Sequence, residues 1–126
     1  EKSNWLKENV SLNGFKEMAI NENIFITDGK EILKFFKGKK QDFSIESLNM
    51  PLQPEKLFAR EDEPYLYILD AKNARIAKID TIDGTITAQY YHPELEQAKS
   101  FVTDEANKVL YILDKNGSIK KVIMTN

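Results

Sequence analysis

The feature that most constrains the fold of this chain is a six-residue motif that occurs three times. Residues 65–70 read YLYILD, residues 109–114 read VLYILD, and residues 23–28 carry a fainter copy, NIFITD. Aligned on the closing aspartates Asp28, Asp70 and Asp114, the copies lie about 42 and 44 residues apart. A period of roughly 40–50 residues is typical of β-propeller blades. The spacing therefore predicts a row of repeated sheets.

Two further patterns recur with this repeat motif. Downstream stand an isoleucine, any residue, a lysine and an apolar residue, at 32–35, 76–79 and 119–122. Upstream stands a lysine followed by a short apolar pair, with Lys16, Lys56 and Lys99 leading the three copies. Three landmarks in one order indicate three copies of one structural unit.

Each copy is predicted to form β-strands. The motifs are short, rich in Ile, Leu, Tyr and Phe, and followed by turn-forming Asp, Asn and Gly residues. A buried helix segment is the alternative for so apolar a run, and the recurring turn residues argue against it. Asp83-Gly84 is a hairpin signal. The assigned strands are a near 16–20, 56–60 and 99–103; b at the repeat motif; c near 31–37, 74–80 and 118–124; and d near 42–48 and 85–91.

The fold prediction is all-β: one module, residues 1–126, of three four-stranded antiparallel β-propeller blades. Blade 1 takes residues 13–48, blade 2 residues 49–92, and blade 3 residues 93–126, which lack a strand d. Residues 1–12 are predicted to supply a closing strand d. Known rings have about 4–8 blades, so three cannot close. Either two chains pair as a homodimer that completes a six-bladed ring, or a longer chain supplies the remaining blades.

The middle repeat resembles the NHL repeat of six-bladed propellers. The stretch YLYILDAKNARIAKIDTIDG at 65–84 matches at Tyr67, at Asp70, from Asn73 to Ile76 and at Asp83-Gly84, although Ala74 stands where the family typically has histidine. The other copies keep less of the motif. The resemblance implies a propeller whose relatives bind proteins or RNA and are in a few cases enzymes, so it does not identify a function.

Composition narrows the classes of function. Hydrophobic residues make up 41% and charged residues 30% of the 126 residues, as in a globular domain. The formal net charge of −2 gives no general attraction to nucleic acid or anionic membranes. The chain has no cysteine, and no apolar run is long enough for membrane insertion. The compartment is left open, and analogy with bacterial propellers favours an extracytoplasmic one.

No catalytic residue, metal site or cofactor is predicted. His92, the single histidine, precedes Pro93 in a loop and is interpreted as a polar loop residue. The acidic stretches 61–63 and 104–105 offer oxygen ligands for calcium, but solvated hairpin ends explain them better. The basic stretch KFFKGKK at 34–40 is interpreted as a charged hairpin, with its aromatic residues packed between blades, rather than as a nucleic-acid site.

The predicted binding site is a rim of charged residues. Strands a and b are antiparallel, so the start of a and the end of b lie at the same edge of a blade. This places Lys16, Lys56 and Lys99 beside Asp28, Asp70 and Asp114, where converging lysines attract an anionic ligand or an acidic partner. The alternative is structural: solvated lysines, and aspartates that cap the following turn.

The functional hypothesis is a non-catalytic propeller scaffold that binds a protein or peptide through its loop rim. The first alternative is a small anionic ligand or an enzymatic site in the central channel, at the same six rim residues. The second is a structural role, as a dimerising or ectodomain module of a larger protein. The first hypothesis is favoured because no nucleophile, base or metal-binding cluster recurs in the repeats.

Overall fold

The structure is a computed structural model that describes residues 14–46 and 50–124. In these residues eleven β-strands form three antiparallel sheets, and two short 3₁₀ helices lie in the connections. Residues 1–12, for which a closing strand is predicted, lie outside the described ranges. No helix of the described residues is long and apolar enough to cross a lipid bilayer.

The three sheets follow one another along the chain. The first has the strands β1 (Glu17–Ile20), β2 (Ile24–Thr27), β3 (Ile32–Phe36) and β4 (Lys39–Gln41). The second has β5 (Lys56–Ala59), β6 (Tyr65–Asp70), β7 (Arg75–Asp80) and β8 (Ile86–Tyr91). The third has β9 (Ala98–Asp104), β10 (Val109–Asp114) and β11 (Ile119–Ile123). The 3₁₀ helices span Ala71–Asn73 and Pro93–Gln97. The prediction of an all-β fold with blade-like repeats is confirmed.

One predicted strand is wrong. Strand d of blade 1 was expected at 42–48, but β4 ends at Gln41, and residues 42–46 leave the sheet. The chain reverses directly after Phe36 through Lys37 and Gly38, which both have positive φ angles, of 49° and 83°. The following residues fill the gap between the first two sheets, where the Phe43 ring packs edge-on against Phe25 at 5.7 Å. Residues 47–48 lie outside the described ranges.

The residues of β6 alternate between two neighbouring sheets. Phe25 of the first sheet packs with Leu66 and Ile68 of the second. Tyr67 and Leu69, on the opposite face of the same strand β6, pack with the third sheet. Leu66 to Asp70 are therefore all buried, as the apolar repeat motif predicts.

The first strands of the three sheets lie side by side. β5 has β1 on one side and β9 on the other. The rings of Phe58 in β5 and Phe101 in β9 are 5.9 Å apart. In a propeller the first strand of each blade is the innermost, so this contact is the one expected of sheets that fan out from an axis.

Candidate functional site at the strand-end rim

The register of the strands places the predicted site residues at the same end of each sheet. The Lys16 amide donates to the Thr27 carbonyl at 2.9 Å, directly before Asp28. Lys56 lies opposite Leu69, directly before Asp70. Lys99 is exposed and has no partner in the register between β9 and β10, because Ala98 pairs with Asp114 and Ser100 pairs with Leu113. Lys99 therefore lies next to Asp114. Their role in ligand binding stays a prediction.

The three lysines are not structural equivalents. The Glu55 amide donates to the Leu69 carbonyl at 2.9 Å, as the Lys16 amide does to Thr27. Glu55 is therefore the counterpart of Lys16, and Lys56 is the counterpart of Glu17. A shift of one residue moves a strand side chain to the other face. Lys56 accordingly forms an ion pair with Glu17, at 3.2 Å between Nζ and Oε2, and this pair joins the second sheet to the first.

Two of the three aspartates cap turns. Asp28 Oδ1 accepts hydrogen bonds from the amides of Lys30 and Glu31, both at 2.9 Å. These bonds, the one from Glu31 first, lower the pKa of Asp28. Asp114 Oδ1 accepts in the same way from the amides of Asn116 and Ser118, both at 2.9 Å. This is the structural alternative considered for these residues.

Asp70 has a different role, in a buried network that sequence reasoning did not anticipate. Its Oδ2 accepts from Nε of Arg75 and from the Asn73 amide side chain, both at 2.9 Å. The Arg75 guanidinium, which is 2% exposed, also donates to Gln89 and to the Met50 carbonyl. The residues that carry the NHL resemblance thus hold the turn after β6 and attach the preceding segment to it. Of these residues only the aspartate recurs in all three copies, so its position at a strand end was the available signal.

A groove opens at this rim between the first two sheets. It has a volume of about 510 Å³ and is lined by Lys16, Asp28, Gly29, Lys30, residues 51–55 and Lys72. An adjoining apolar recess of about 250 Å³ shares Lys30, Pro51, Leu52 and Pro54 and adds Ile32, Ile45 and Glu46. We call the two together the rim groove. Of the predicted site residues, the rim groove contains Lys16 and Asp28.

The Lys16 side chain can occupy its position because residue 29 is a glycine and has no side chain. A Cβ on Gly29 would lie 2.7 Å from Cε of Lys16, and Gly29 has a φ of +99°. The lysine side chain therefore lies directly across the glycine at the edge of the rim groove. A side chain at residue 29 would displace it and strain the turn.

Comparisons with known proteins concern the fold. No family model and no curated protein matches the sequence. The crystal structure of Citrobacter koseri AztD matches with a TM-score of 0.62 and 14% identity, over 87% of this chain and 30% of that one. Apo AztD gives the same TM-score and identity over 90% and 35%. Kluyveromyces lactis Hsv2 matches with a TM-score of 0.59 and 11% identity, over 90% and 33%. The chain has a β-propeller-like fold.

This propeller-like chain spans about a third of the length of the structures it matches. At 11–14% identity the likeness concerns architecture alone. The comparisons show no NHL family, so that resemblance stays a prediction. The function must be argued from the grooves and charged clusters of this chain.

A second charged cluster lies between the second and third sheets. Glu105 accepts from the Tyr67 hydroxyl at 2.5 Å, from Lys78 at 2.9 Å and from Lys108 at 2.6 Å. Burial alone would raise the pKa of Glu105, but the hydrogen bonds from Lys108, Tyr67 and Lys78 outweigh it and lower the pKa to about 2. Burial, together with the bond to Glu105, raises the pKa of Tyr67. We call Tyr67, Lys78 and Glu105 the inter-blade triad.

The remaining candidate residues have structural contacts. His92 Nδ1 accepts from the Glu94 amide at 3.1 Å and caps the helix Pro93–Gln97. Asp104 accepts from Asn107, and Asp62 pairs with Arg60. In residues 14–46 and 50–124, no group of three or more histidine or acidic residues is placed to hold a metal ion. In the basic stretch, Phe35 is buried, whereas Phe36 is 39% exposed and so does not pack fully between blades.

Proposed function

We propose that this chain is a non-catalytic propeller module that binds an acidic, partly apolar segment of a partner protein in the rim groove. The observation that carries the proposal is the combination of three exposed lysines with an apolar floor in one continuous depression. Loops at the rim of a rigid sheet scaffold are a common place for binding sites.

The charge of the rim groove favours an acidic ligand. Lys16, Lys30 and Lys72 extend into solvent along its edge. The carboxylates of Asp28 and Glu55 line the same part, so the three lysines leave a net charge of +1 there. A carboxylate-rich segment therefore gains more attraction than repulsion here.

The floor of the rim groove favours a peptide over a small anion. Leu52 and Ile45 line the recess together with the buried Pro54 and Ile32. Because Leu52 and Ile45 are only half-buried, their exposed parts offer apolar surface to a side chain. A free anion makes no use of that surface, whereas an aliphatic residue next to acidic ones buries it.

The experiment is a fluorescence anisotropy titration with a labelled peptide in which two leucines stand among glutamates. We expect saturable binding that weakens with salt. Replacing both Lys30→Glu and Lys72→Glu is expected to weaken binding by about tenfold, since each surface charge contributes up to about 1 kcal/mol. The matched control, Lys115→Glu with Lys120→Glu, makes the same charge change on the third sheet and leaves binding unchanged.

Three outcomes distinguish the alternatives. No binding by the wild-type chain, or equal weakening in the control, contradicts the proposal. Displacement of the peptide by inorganic phosphate, with no effect of Leu52→Asp, favours a small anionic ligand instead. An effect of Lys99→Glu as large as that of the groove lysines favours a channel lined by all three sheets.

A further inference from the structure

The two faces of every sheet follow one rule. Counting back from the closing aspartate, the residues two and four positions earlier face the preceding sheet: Leu66 and Ile68 contact the first sheet, and Leu110 and Ile112 contact the second. The residues one and three positions earlier face the following sheet, as Tyr67 and Leu69 do. Each internal boundary therefore joins the same two kinds of face.

Within residues 14–46 and 50–124, each end of the row leaves one of these faces open. On the first sheet, Met18 is 54% and Ile20 52% exposed, beside half-buried Ile24 and Ile26. On the third sheet, Val102, Tyr111, Leu113 and Ile119 are between 37% and 72% exposed. By register these four correspond to Phe58, Tyr67, Leu69 and Ile76, which pack at the boundary between the second and third sheets. The open faces are thus the two unmatched halves of a boundary that the chain already forms twice.

The open faces also repeat the polar contacts of the inter-blade triad. Tyr67 lies opposite Lys78 in the second sheet, and Tyr111 lies opposite Lys121 in the third. The acceptor Glu105 stands two residues after Thr103, which pairs with Leu110. Glu22 stands two residues after Ile20, which pairs with Ile24 at the same repeat position. Tyr111 and Lys121 thus correspond to the donors, and Glu22 to the acceptor.

Donors and acceptor lie on opposite ends of one chain. Glu22, Tyr111 and Lys121 are exposed, and within the described residues none of their side chains has a hydrogen bond or ion pair. A face that carries the tyrosine and lysine and a face that carries the glutamate are complementary in charge as well as in apolar character.

We propose that a second copy of the chain covers both open faces. The third sheet of each copy packs against the first sheet of the other, and Tyr111 and Lys121 contact Glu22 of the partner subunit. The two contacts are identical, so the assembly closes on a two-fold axis as a ring of six blades.

The experiment combines sedimentation equilibrium with charge reversal. The wild-type chain is expected to have twice the mass of one chain. Lys121→Glu and Glu22→Lys, made separately, each place like charges at both contacts and raise the dissociation constant by at least about tenfold. Matched controls at exposed positions away from both faces, Lys115→Glu and Glu96→Lys, leave it unchanged. Circular dichroism of each variant verifies the fold.

Mixing the two interface variants provides the decisive test. In a ring with one copy of each, one contact has the native charge pair and the other has the reversed pair, so both are attractive. We expect two poorly associating variants to form a mixed dimer. A monomeric wild-type chain, an open series of higher masses, or failure of the mixture to associate overturns the proposal.

Discussion

At the scale of single residues, the charged contacts of the inter-blade triad all involve one carboxylate, that of Glu105. Glu105 has a side chain that is 15% exposed and lies between two lysines and a tyrosine hydroxyl. Its folded-state pKa of about 2 lies below the ordinary value of 4.5. A carboxyl group whose pKa is lowered by folding stabilises the fold while it is ionised, and this stabilisation is lost as pH falls through the folded pKa.

The prediction concerns acid unfolding of Glu105→Gln. At pH 7 the variant is expected to be less stable than the wild type by about 1–3 kcal/mol, the order implied by a pKa difference of this size. The difference shrinks as pH falls from 4.5 toward about 2, where the wild-type carboxylate is protonated. Urea unfolding followed by circular dichroism at several pH values measures it. Glu96→Gln, at an exposed position, is the control, and a difference independent of pH contradicts the prediction.

Asp70 and Arg75 show why single residues of a binding site are hard to predict. Both belong to a conspicuous motif, and a rim aspartate is a reasonable ligand group. Burial determines the role of Asp70, because a buried carboxylate needs a partner and Arg75 is that partner. Arg75 also donates two hydrogen bonds to other groups, which hold its guanidinium in place. The sequence contains both residues but does not show that they are buried together.

At the scale of elements, one of the contacts between the first two sheets depends on a glycine. A Cβ on Gly84 would lie 2.0 Å from the Ser44 carbonyl oxygen. The Gly84 carbonyl also accepts from the Glu46 amide at 3.0 Å. The segment that was expected to be a strand of blade 1 thus lies against the hairpin of blade 2, and this contact requires the absence of a side chain.

The prediction compares two glycine-to-alanine changes. Gly84→Ala is expected to cost more than about 2 kcal/mol, because the clash with backbone adds to the cost of the left-handed conformation, about 1–2 kcal/mol. Gly117 has a φ of +85°, close to the +79° of Gly84, but no atom lies within 4 Å of the position that a Cβ on Gly117 would take. Gly117→Ala is therefore expected to have only the cost of the left-handed conformation. Urea denaturation gives both values. Equal losses would show that the contact with residues 42–46 contributes nothing.

Most elements were predictable, for an identifiable reason. Strands such as β6 and β10 combine apolar runs with turn residues at a fixed period, and both signals are local. β4 was missed because Lys39–Gln41 has no apolar alternation, and its pairing comes from the tight turn before it. Phe43 and Ile45 alternate like a strand but fill a gap between sheets. The periodicity of apolar residues indicates which residues are buried, but it does not show which part of the molecule covers them.

The candidate site was predictable only in part. Antiparallel pairing placed lysines and aspartates at one rim, as the register shows. The apparent equivalence of Lys16 and Lys56 did not hold, because an alignment of letters cannot show a one-residue difference in strand register. The rim groove depends on residues 51–55, which no repeat marks, so it had no sequence signal.

At the scale of the whole molecule, stability is expected to be graded along the row of sheets. The second sheet is covered on both faces, and β6 and β7 have mostly buried side chains. β1 and β11 have exposed apolar residues on the open faces. Segments with few buried contacts open at lower free energy than core segments do.

The prediction is tested by amide hydrogen exchange on the Lys121→Glu variant, in which the proposed association is expected to be weakened. Amides of β6 and β7 are expected to exchange slowest, at the free energy of global unfolding, and those of β11 by local opening. Exchange at one common rate throughout the described strands would instead indicate a single cooperative unit. In the wild-type chain at high concentration, protection of β11 should rise.

The alternation of the two sheet faces has a consequence for how such a protein changes in length. One face of a sheet packs against the preceding sheet, and its other face packs against the following sheet. Another sheet of the same kind can therefore pack on either side of it. Duplication of the gene segment for the second sheet would create a chain whose new boundary reuses existing contacts. Each added unit would widen the arc, so in the proposed two-copy ring the closure of the ring, and not the packing between neighbouring sheets, would limit the number of added sheets.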